Sequence, residues 1–334
     1  MAFEIEVTAP SNIAFLKYWG KSDPLTQWPA GNSLSMTLKN AKTVTKASLS
    51  DKDQVYFDGR LCDDKKIFKA LDLLREQTGI SRQITIHTYN TFPKSAGIAS
   101  SASGMAALTL ASIACWTQSQ SFWELEKNGF SKIRLSHLAR LCSGSAGRSL
   151  FGGYVEWQRG EAPELQVISQ KATSYHWPLS NLILIVSDKM KATSSSEAHA
   201  AAWSSPLFAP RLAVLPERLA AMLEAIQEKN LRKLGPLLET DAIEMHAVIL
   251  TASTPVRYLS EETLNLLSWI RRERQRGSFN AWFTIDAGPN IHLISEPEDQ
   301  AKIQHALSKA FPHLTIFPDE VGDGPHIRRL TNEV

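Results

Sequence analysis

Polar and apolar residues alternate with a period of two through "FEIEVTA" (3–9), "TVTKASL" (43–49), "QVYFDG" (54–59) and "QITIHTYN" (83–90). A period of two puts successive side chains on opposite faces, so each stretch predicts a half-buried strand. Helical spacing takes over from Lys65 to Gln77, Ser101 to Trp116 and Ser131 to Leu141, after which "GGYVEWQ" (152–158) and "LQVISQ" (165–170) read as further strands. This interleaving predicts a mixed α/β first domain, set at residues 1–180.

From "NLILIVSD" (181–188), an unbroken apolar run that reads as a buried strand, the pattern changes. Long helical patterns cover 206–228, 231–251 and 260–276, and the strands "AWFTIDA" (281–287) and "NIHLIS" (290–295) are joined through "GPN". A helix over 296–310 and a final strand, "LTIFPDE" (314–320), close the chain. Helices around an antiparallel pair predict a split β-α-β layer as the second domain, 181–334, and an α+β fold class for the whole. No internal repeat or low-complexity tract is present.

Composition narrows the function classes. With 334 residues, 43% of them apolar, the chain can bury a sizeable core, and a net charge of +2 leaves no broad electrostatic footprint for nucleic acid. The one basic run, "RRERQR" (271–276), reads as a solvated helix end. Cys62, Cys115 and Cys142 show neither CxxC nor Cys/His metal spacing, which suits a reduced, cytoplasmic protein without a protein-held metal. "MAFEIEVTAP" lacks the form of a secretory signal, and "LILIV" (182–186) is too short to span a bilayer.

Three places carry candidate chemistry. Lys17, Tyr18 and Lys21 cluster in "SNIAFLKYWGKSDP" (11–24), just behind the first strand pattern, where two ammonium groups and a phenol suit an anion. "FPKSAGIASSASGMAALTLASIACW" (92–116) has neither the Walker order nor a G-x-G-x-x-G signature. Its small residues would still let backbone N–H groups approach a phosphate at the start of a helix. Asp286 lies between two apolar strand runs, where a carboxylate is costly unless paired or useful.

"PKSAGIASSASG" (93–104) resembles the P-x-x-x-G-L-x-S-S-A phosphate motif of the GHMP small-molecule kinases, with Ile98 at the usual leucine. "NIAFLKYWGK" (12–21), "SGSAGRSLFGGYVEW" (143–157) and "DAGPN" (286–290) narrow the resemblance to the diphosphomevalonate decarboxylases, from about Thr8 to Pro325. The resemblance implies a GHMP-kinase-like two-domain fold, ATP with Mg²⁺, a homodimer, and ATP-dependent decarboxylation of mevalonate 5-diphosphate to isopentenyl diphosphate. It assigns Lys94, Ser95, Gly97, Ser100, Ser101 and Ser103 to the nucleotide phosphates. Tyr18, Lys21, Ser143, Ser145 and Arg148 would bind the phosphorylated substrate, and Asp286, Lys17 and Ser194 would carry the chemistry.

The chain departs from the family pattern twice. "PAGNSLS" (29–35) has Gly31 at the usual asparagine, leaving open whether Asn32 covers for it, and "TSSSEA" (193–198) has Glu197 and Ala198 where Gly-Met is usual. A glutamate near bound phosphates would repel them, whereas one in an exposed first helical turn would favour the helix dipole. Two other readings therefore stand beside the main one: a decarboxylase or 3-kinase acting on mevalonate or its monophosphate, and a silent paralogue that senses a nucleotide or isoprenoid phosphate.

Overall fold

The computed structural model describes residues 3–93, 100–171, 177–187 and 195–330. In chain order the first region forms strands β1 (Glu4–Leu16), β2 (Lys21–Asp23), β3 (Trp28–Pro29), β4 (Ser33–Leu49), β5 (Gln54–Phe57) and β6 (Arg60–Leu61), helix α1 (Lys65–Thr78) and β7 (Ile84–Asn90). Helices α2 (Ser100–Thr117), α3 (Phe122–Lys127) and α4 (Lys132–Cys142) follow, then β8 (Tyr154–Gln158) and β9 (Val167–Gln170). The second region holds β10 (Ser180–Ile185), α5 (Ser195–Ala201), α6 (Phe208–Gln227), α7 (Leu231–Thr251) and α8 (Glu261–Gln275). It continues through β11 (Ala281–Thr284), β12 (Ile291–Ser295), α9 (Pro297–Ala310), β13 (Thr315–Glu320) and β14 (His326–Arg329). Among the described residues no helix is long and apolar enough to cross a membrane.

The strands make an 8-stranded sheet in the order β14-β1-β4-β7-β5-β6, with β8 and β9 off β4, and an antiparallel 4-stranded sheet β11-β12-β10-β13. This is the two-domain α+β fold the sequence predicts, with two differences. The first strand does not stop near residue 9: Ser11–Leu16 continue β1 along β4 beyond a register shift between Pro10 and Asn12. Proline and serine mark a break in the pattern, but here the irregularity is absorbed by the partner strand. Nor does "LTIFPDE" close the chain, because β14 returns to pair with β1 from Ile5↔Arg329 to Thr8↔His326. Its segment is polar and mostly exposed, so it covers an edge of the sheet rather than filling a core, and hydrophobic patterning does not reveal it.

β1 serves two cores, one on each side of the shift. Before it, Ile5, Val7 and Ala9 join the core with α1, α2 and α4; beyond it, Ile13 and Phe15 face a second core with Leu215, Leu219 and Met222 of α6 and Leu234 and Leu238 of α7. The inward residues keep the same alternation along β1, and the surplus of the ladder lies on β4, where Pro10↔Lys42 is followed by Asn12↔Thr37, so a single strand serves two cores. Opposite the shift, Asp319 on β13 accepts from the N–H groups of Lys39 (2.9 Å), Asn40 (2.8 Å) and Ala41 (2.9 Å). A carboxylate of the second sheet thus stabilises the irregular backbone of the first.

Asp319→Ala removes the acceptor for all three donors. We expect a loss of about 3 kcal/mol or more in unfolding free energy, read from urea denaturation, with Asp319→Asn losing less because one amide oxygen remains.

Candidate active site

β1 delivers Lys17 to the junction of the two regions. Lys17 is only 2% exposed, and its Nζ donates to Asp286 Oδ1 at 2.7 Å and to the Ala14 carbonyl at 2.8 Å. Its main-chain N–H donates to Asp241 Oδ2 at 2.8 Å, and Asp241 is held in turn by Arg211 (2.8 Å) and Arg218 (3.0 Å). The lysine is therefore anchored at both ends. The chain then turns through Gly20, whose φ of +77° lies in the left-handed region and where an added Cβ would stand 2.2 Å from the Phe208 ring. His199 Nδ1 accepts the Gly20 N–H at 3.0 Å, and its ring stacks 4.3 Å from Trp19 and lies 4.6 Å from Tyr18. Burial pushes His199 down to about 3, with Lys21 and Arg148 adding to the effect, so the ring is neutral with its Nδ1 lone pair available.

Asp286 sits just past β11 at the head of a tight turn. Gly288 N–H donates to the Asp286 carbonyl at 2.7 Å, and His246 Nε2 lies 3.2 Å from the same oxygen, which requires the Nε2–H tautomer. Thr263 Oγ1 donates to the Pro289 carbonyl at 2.8 Å, and Asn290 Oδ1 accepts from Val186 N–H at 2.8 Å. With the backbone so held, the Asp286 carboxylate is presented at 35% exposure. Burial raises its pKa, but Lys17, His292 and Arg148 together outweigh burial and hold the carboxyl below the usual carboxylate range. It is ionised at neutral pH.

Arg148 comes from the helical turn Gly144–Leu150 that follows α4. It is 3% exposed, with Nε donating to Asn12 Oδ1 at 3.2 Å and Nη1 to Ser33 Oγ at 2.8 Å, while Asn12 Nδ2 donates to Ser149 Oγ at 2.9 Å. Burial brings the guanidinium down to about 10, partly countered by Asp286 and Tyr18, so it keeps its charge at neutral pH. Its hydrogen-bond partners are neutral, which orients the fork without cancelling it. Among the described residues Tyr18 Oη has no hydrogen-bond partner, and a Cβ on Gly144 would stand 2.6 Å from it, so only glycine admits the phenol there. Burial raises the Tyr18 phenol well above its ordinary range, leaving a protonated donor, and lowers the half-buried Lys21 ammonium.

Lys17, Tyr18, Lys21, Arg148 and Asp286 are thus gathered at one place, with Ser143 and Ser145 half-buried beside them. The nucleotide assignments divide. Ser100 opens α2 and Ser101 is exposed on its first turn, which holds no acidic residue. Ser103 points the other way: it is 0% exposed, and its hydroxyl accepts from Ser11 (3.0 Å) and Thr43 (2.8 Å), tying α2 to the sheet rather than facing a ligand. Two residues on from the exposed Ser101, about 200° of helical rotation has carried it inward. Lys94, Ser95, Gly97 and Ser194 lie outside the described residues.

The two departures also find places. Gly31 admits Leu215 of α6, and Asn32 Oδ1 accepts from Arg159 N–H at 2.8 Å, which engages that oxygen in the scaffold. Glu197 is exposed in the first turn of α5. His292 is buried with Nδ1 3.0 Å from Asn181 Nδ2, yet its charge is coupled to Asp286; burial pushes it down to about 4. A cavity of about 810 Å³, lined by Ser187, Ser260, Glu262, Asn265 and Phe311 among others, opens elsewhere and includes none of the clustered residues.

Sequence reasoning did not single out Asn12, Ser33 or His199 as parts of the site. Asn12 and Ser33 stood inside the stretches already quoted; His199 meets Gly20 across 179 residues, a pairing that no local pattern signals.

An α+β fold with a buried lysine–aspartate pair beside an arginine, a phenol and a small-residue helix start defines a small-molecule kinase-like site for phosphorylated ligands. Residues 9–169 match the family described as diphosphomevalonate decarboxylase-like N-terminal domain, and residues 181–330 match the mevalonate 5-diphosphate decarboxylase C-terminal domain. The chain belongs to the diphosphomevalonate decarboxylase family. It is 36% identical to the diphosphomevalonate decarboxylase of Candida albicans, over 93% of this chain and 90% of that protein. A solved structure of the mevalonate diphosphate decarboxylase from Enterococcus faecalis superposes with TM-score 0.88 at 29% identity, covering 99% of this chain and 100% of that one. Another, described as MDDEF in complex with MVAPP, AMPPCP and magnesium, gives TM-score 0.89 at 30% identity, with coverage of 99% and 100%.

Two neutral buried histidines bear on acid stability. His199 and His292 have native pKa values of about 3 and 4, below the ordinary 6.5. As pH falls below about 6.5 the unfolded chain takes up protons that the native state refuses, so stability is lost toward pH 4 at up to about 1.4 kcal/mol per pH unit for each ring. Urea unfolding from pH 7.5 to 4.5 should show this slope. His199→Asn keeps an acceptor for Gly20 but cannot titrate, so its profile should be shallower by about one histidine's share.

Proposed function

We propose that this protein catalyses the ATP-dependent decarboxylation of mevalonate 5-diphosphate to isopentenyl diphosphate, with ADP, phosphate and CO₂ as the other products. The observation that carries the reading is the Lys17–Asp286 pair: an ionised carboxylate, backed by a buried ammonium, exposed beside Arg148 in a chain of this family. Asp286 orients the tertiary 3-hydroxyl and takes its proton as that oxygen attacks the γ-phosphorus of ATP. Lys17 keeps the carboxylate ionised and fixes its position. Tyr18, Lys21, Arg148 and the Ser143–Ser145 turn hold the substrate's charged groups.

Phosphorylation supplies what the hydroxyl lacks. Hydroxide leaves poorly and phosphate leaves well, so the C3–O bond of the 3-phosphorylated substrate breaks with positive charge developing at carbon. Loss of CO₂ delivers its bonding electrons to that carbon and forms the alkene. The acid-free start of α2, with Ser101 exposed on its first turn, suits nucleotide phosphates. Magnesium brought with ATP would be held chiefly by the phosphates and would supply neutralisation of their charge. Ser194 is assigned to the reacting phosphoryl group, and Lys94, Ser95 and Gly97 to the nucleotide.

The solvent-exposed position of Glu197 favours the diphosphate over a less charged substrate, since a hydrated carboxylate repels bound phosphates weakly. An ionised, supported Asp286 favours an enzyme over a phosphate sensor. We divide the chain at 180/181, which the spans 9–169 and 181–330 support, with β14 returning to the first sheet. The free thiols Cys62, Cys115 and Cys142 support a cytoplasmic protein, and a homodimer would cover exposed apolar side chains such as Trp123 and Ile133.

The reading is tested by ATP-dependent CO₂ release from mevalonate, its 5-phosphate and its 5-diphosphate, with turnover expected on the last. Asp286→Asn should reduce turnover by about 10² to 10⁴ while ATP affinity stays within a few-fold; activity above about a tenth of wild type would overturn the role. Arg148→Lys keeps the charge and loses the fork, so the KM for the diphosphate should rise about tenfold or more in steady-state assays.

A further inference from the structure

Arg140, near the end of α4, is as buried as Arg148 and has no assigned role. It is 5% exposed; Nη1 donates to the Thr26 carbonyl, and Nε is buried with no partner among the described residues. Among the described residues no carboxylate pairs with it. Its pKa is pushed down to about 10 by burial, and the nearby group that favours its charged form is the Tyr18 phenol. A cation taken out of water without a counter-ion is costly, and a folded protein tolerates one most readily where a ligand brings the missing charge.

Position points the same way. The turn that follows α4 runs between Tyr18 and Arg140: a Cβ on Gly144 would stand 2.6 Å from Tyr18 Oη, and one on Gly147 would stand 3.2 Å from the Arg140 Cβ. Tyr18 Oη, like Arg140 Nε, is a buried donor with nothing to donate to among the described residues. Arg148 acts on both Asp286 and Tyr18, whereas Arg140 acts on Tyr18 and is absent from the groups that shift Asp286. Arg140 therefore shares the surroundings of the Tyr18 phenol with Arg148.

Resting on the function proposed above, we propose that Arg140 is a second anion-binding arginine, which together with the Tyr18 hydroxyl takes the outer phosphate of the diphosphate and so distinguishes it from the monophosphate. The bond to Thr26 fixes one arm of the fork and leaves Nε for the ligand, where a planar donor pair suits phosphate oxygens.

Calorimetric titration of the full-length protein with mevalonate 5-diphosphate and with mevalonate 5-phosphate tests this whether or not turnover occurs. Wild type should bind the diphosphate more tightly. Arg140→Met should weaken the diphosphate about tenfold or more and the monophosphate less than about twofold, with Arg140→Lys in between. The melting temperature of ligand-free Arg140→Met should hold or rise, because an uncompensated buried cation has been replaced by an apolar chain of similar length. Equal weakening of both ligands, no weakening of either, or a lowered melting temperature with ligand discrimination intact would make Arg140 a strut for Thr26 and overturn the proposal. Absence of CO₂ release from the wild-type protein would overturn the function reading instead, since the binding comparison does not depend on chemistry.

Discussion

The structure depends on the burial of one positive charge. Lys17 closes the first strand at 2% exposure, and an ammonium there is tolerable only because Asp286, 269 residues away, meets it at 2.7 Å. Removing either partner of such a pair leaves the other charge uncompensated, typically at a cost of about 3–5 kcal/mol. The pair therefore holds the end of β1 against the turn after β11. It also sets the chemistry, since the same contact keeps the carboxylate ionised and partly exposed.

Around this pair the supports are mostly neutral. Asn12 and Ser33 orient Arg148, His199 receives the Gly20 N–H, and His246 steadies the Asp286 carbonyl, without adding a carboxylate to the anion pocket. The carboxylates Asp241 and Glu244 instead meet Arg211 and Arg218, behind the backbone of Lys17. Pairing the scaffold's charges among themselves while leaving Lys21 and Arg148, among the described residues, hydrogen-bonded only to neutral groups or to none sacrifices some stability for affinity toward a polyanion. Tyr18 belongs to the same arrangement, because a phenol held protonated by burial is a donor at any physiological pH.

Much of this was legible before folding. The alternations of β4, β5 and β7 and the helical periods of α1, α4, α7 and α8 match the elements formed, because each has one wet face and one dry face. Lys17, Tyr18, Arg148 and Asp286 were legible as residue types that suit phosphate and proton transfer, and quoted motifs carried them into a family. Ser103 shows the limit of that reading. A serine in a serine-rich helix start can face a ligand or a core, and the two-residue step from the exposed Ser101 turns Ser103 to Ser11 and Thr43.

The sequence by itself determined the alternation of strands and helices, the chemical inventory of the site and the family, since these follow from side-chain type and spacing along a local backbone. Only the tertiary structure decided that β1 serves one core before and another after an irregularity stabilised by Asp319, that β14 returns to its edge, and that His199 reaches Gly20 and Arg140 lies near Tyr18. Each of these is a contact between segments far apart in the chain, whose pairing depends on which surfaces are buried together and which donors are left to be satisfied. Periodicity reports only that a residue faces inward; the identity of what it meets there is a property of the packed whole.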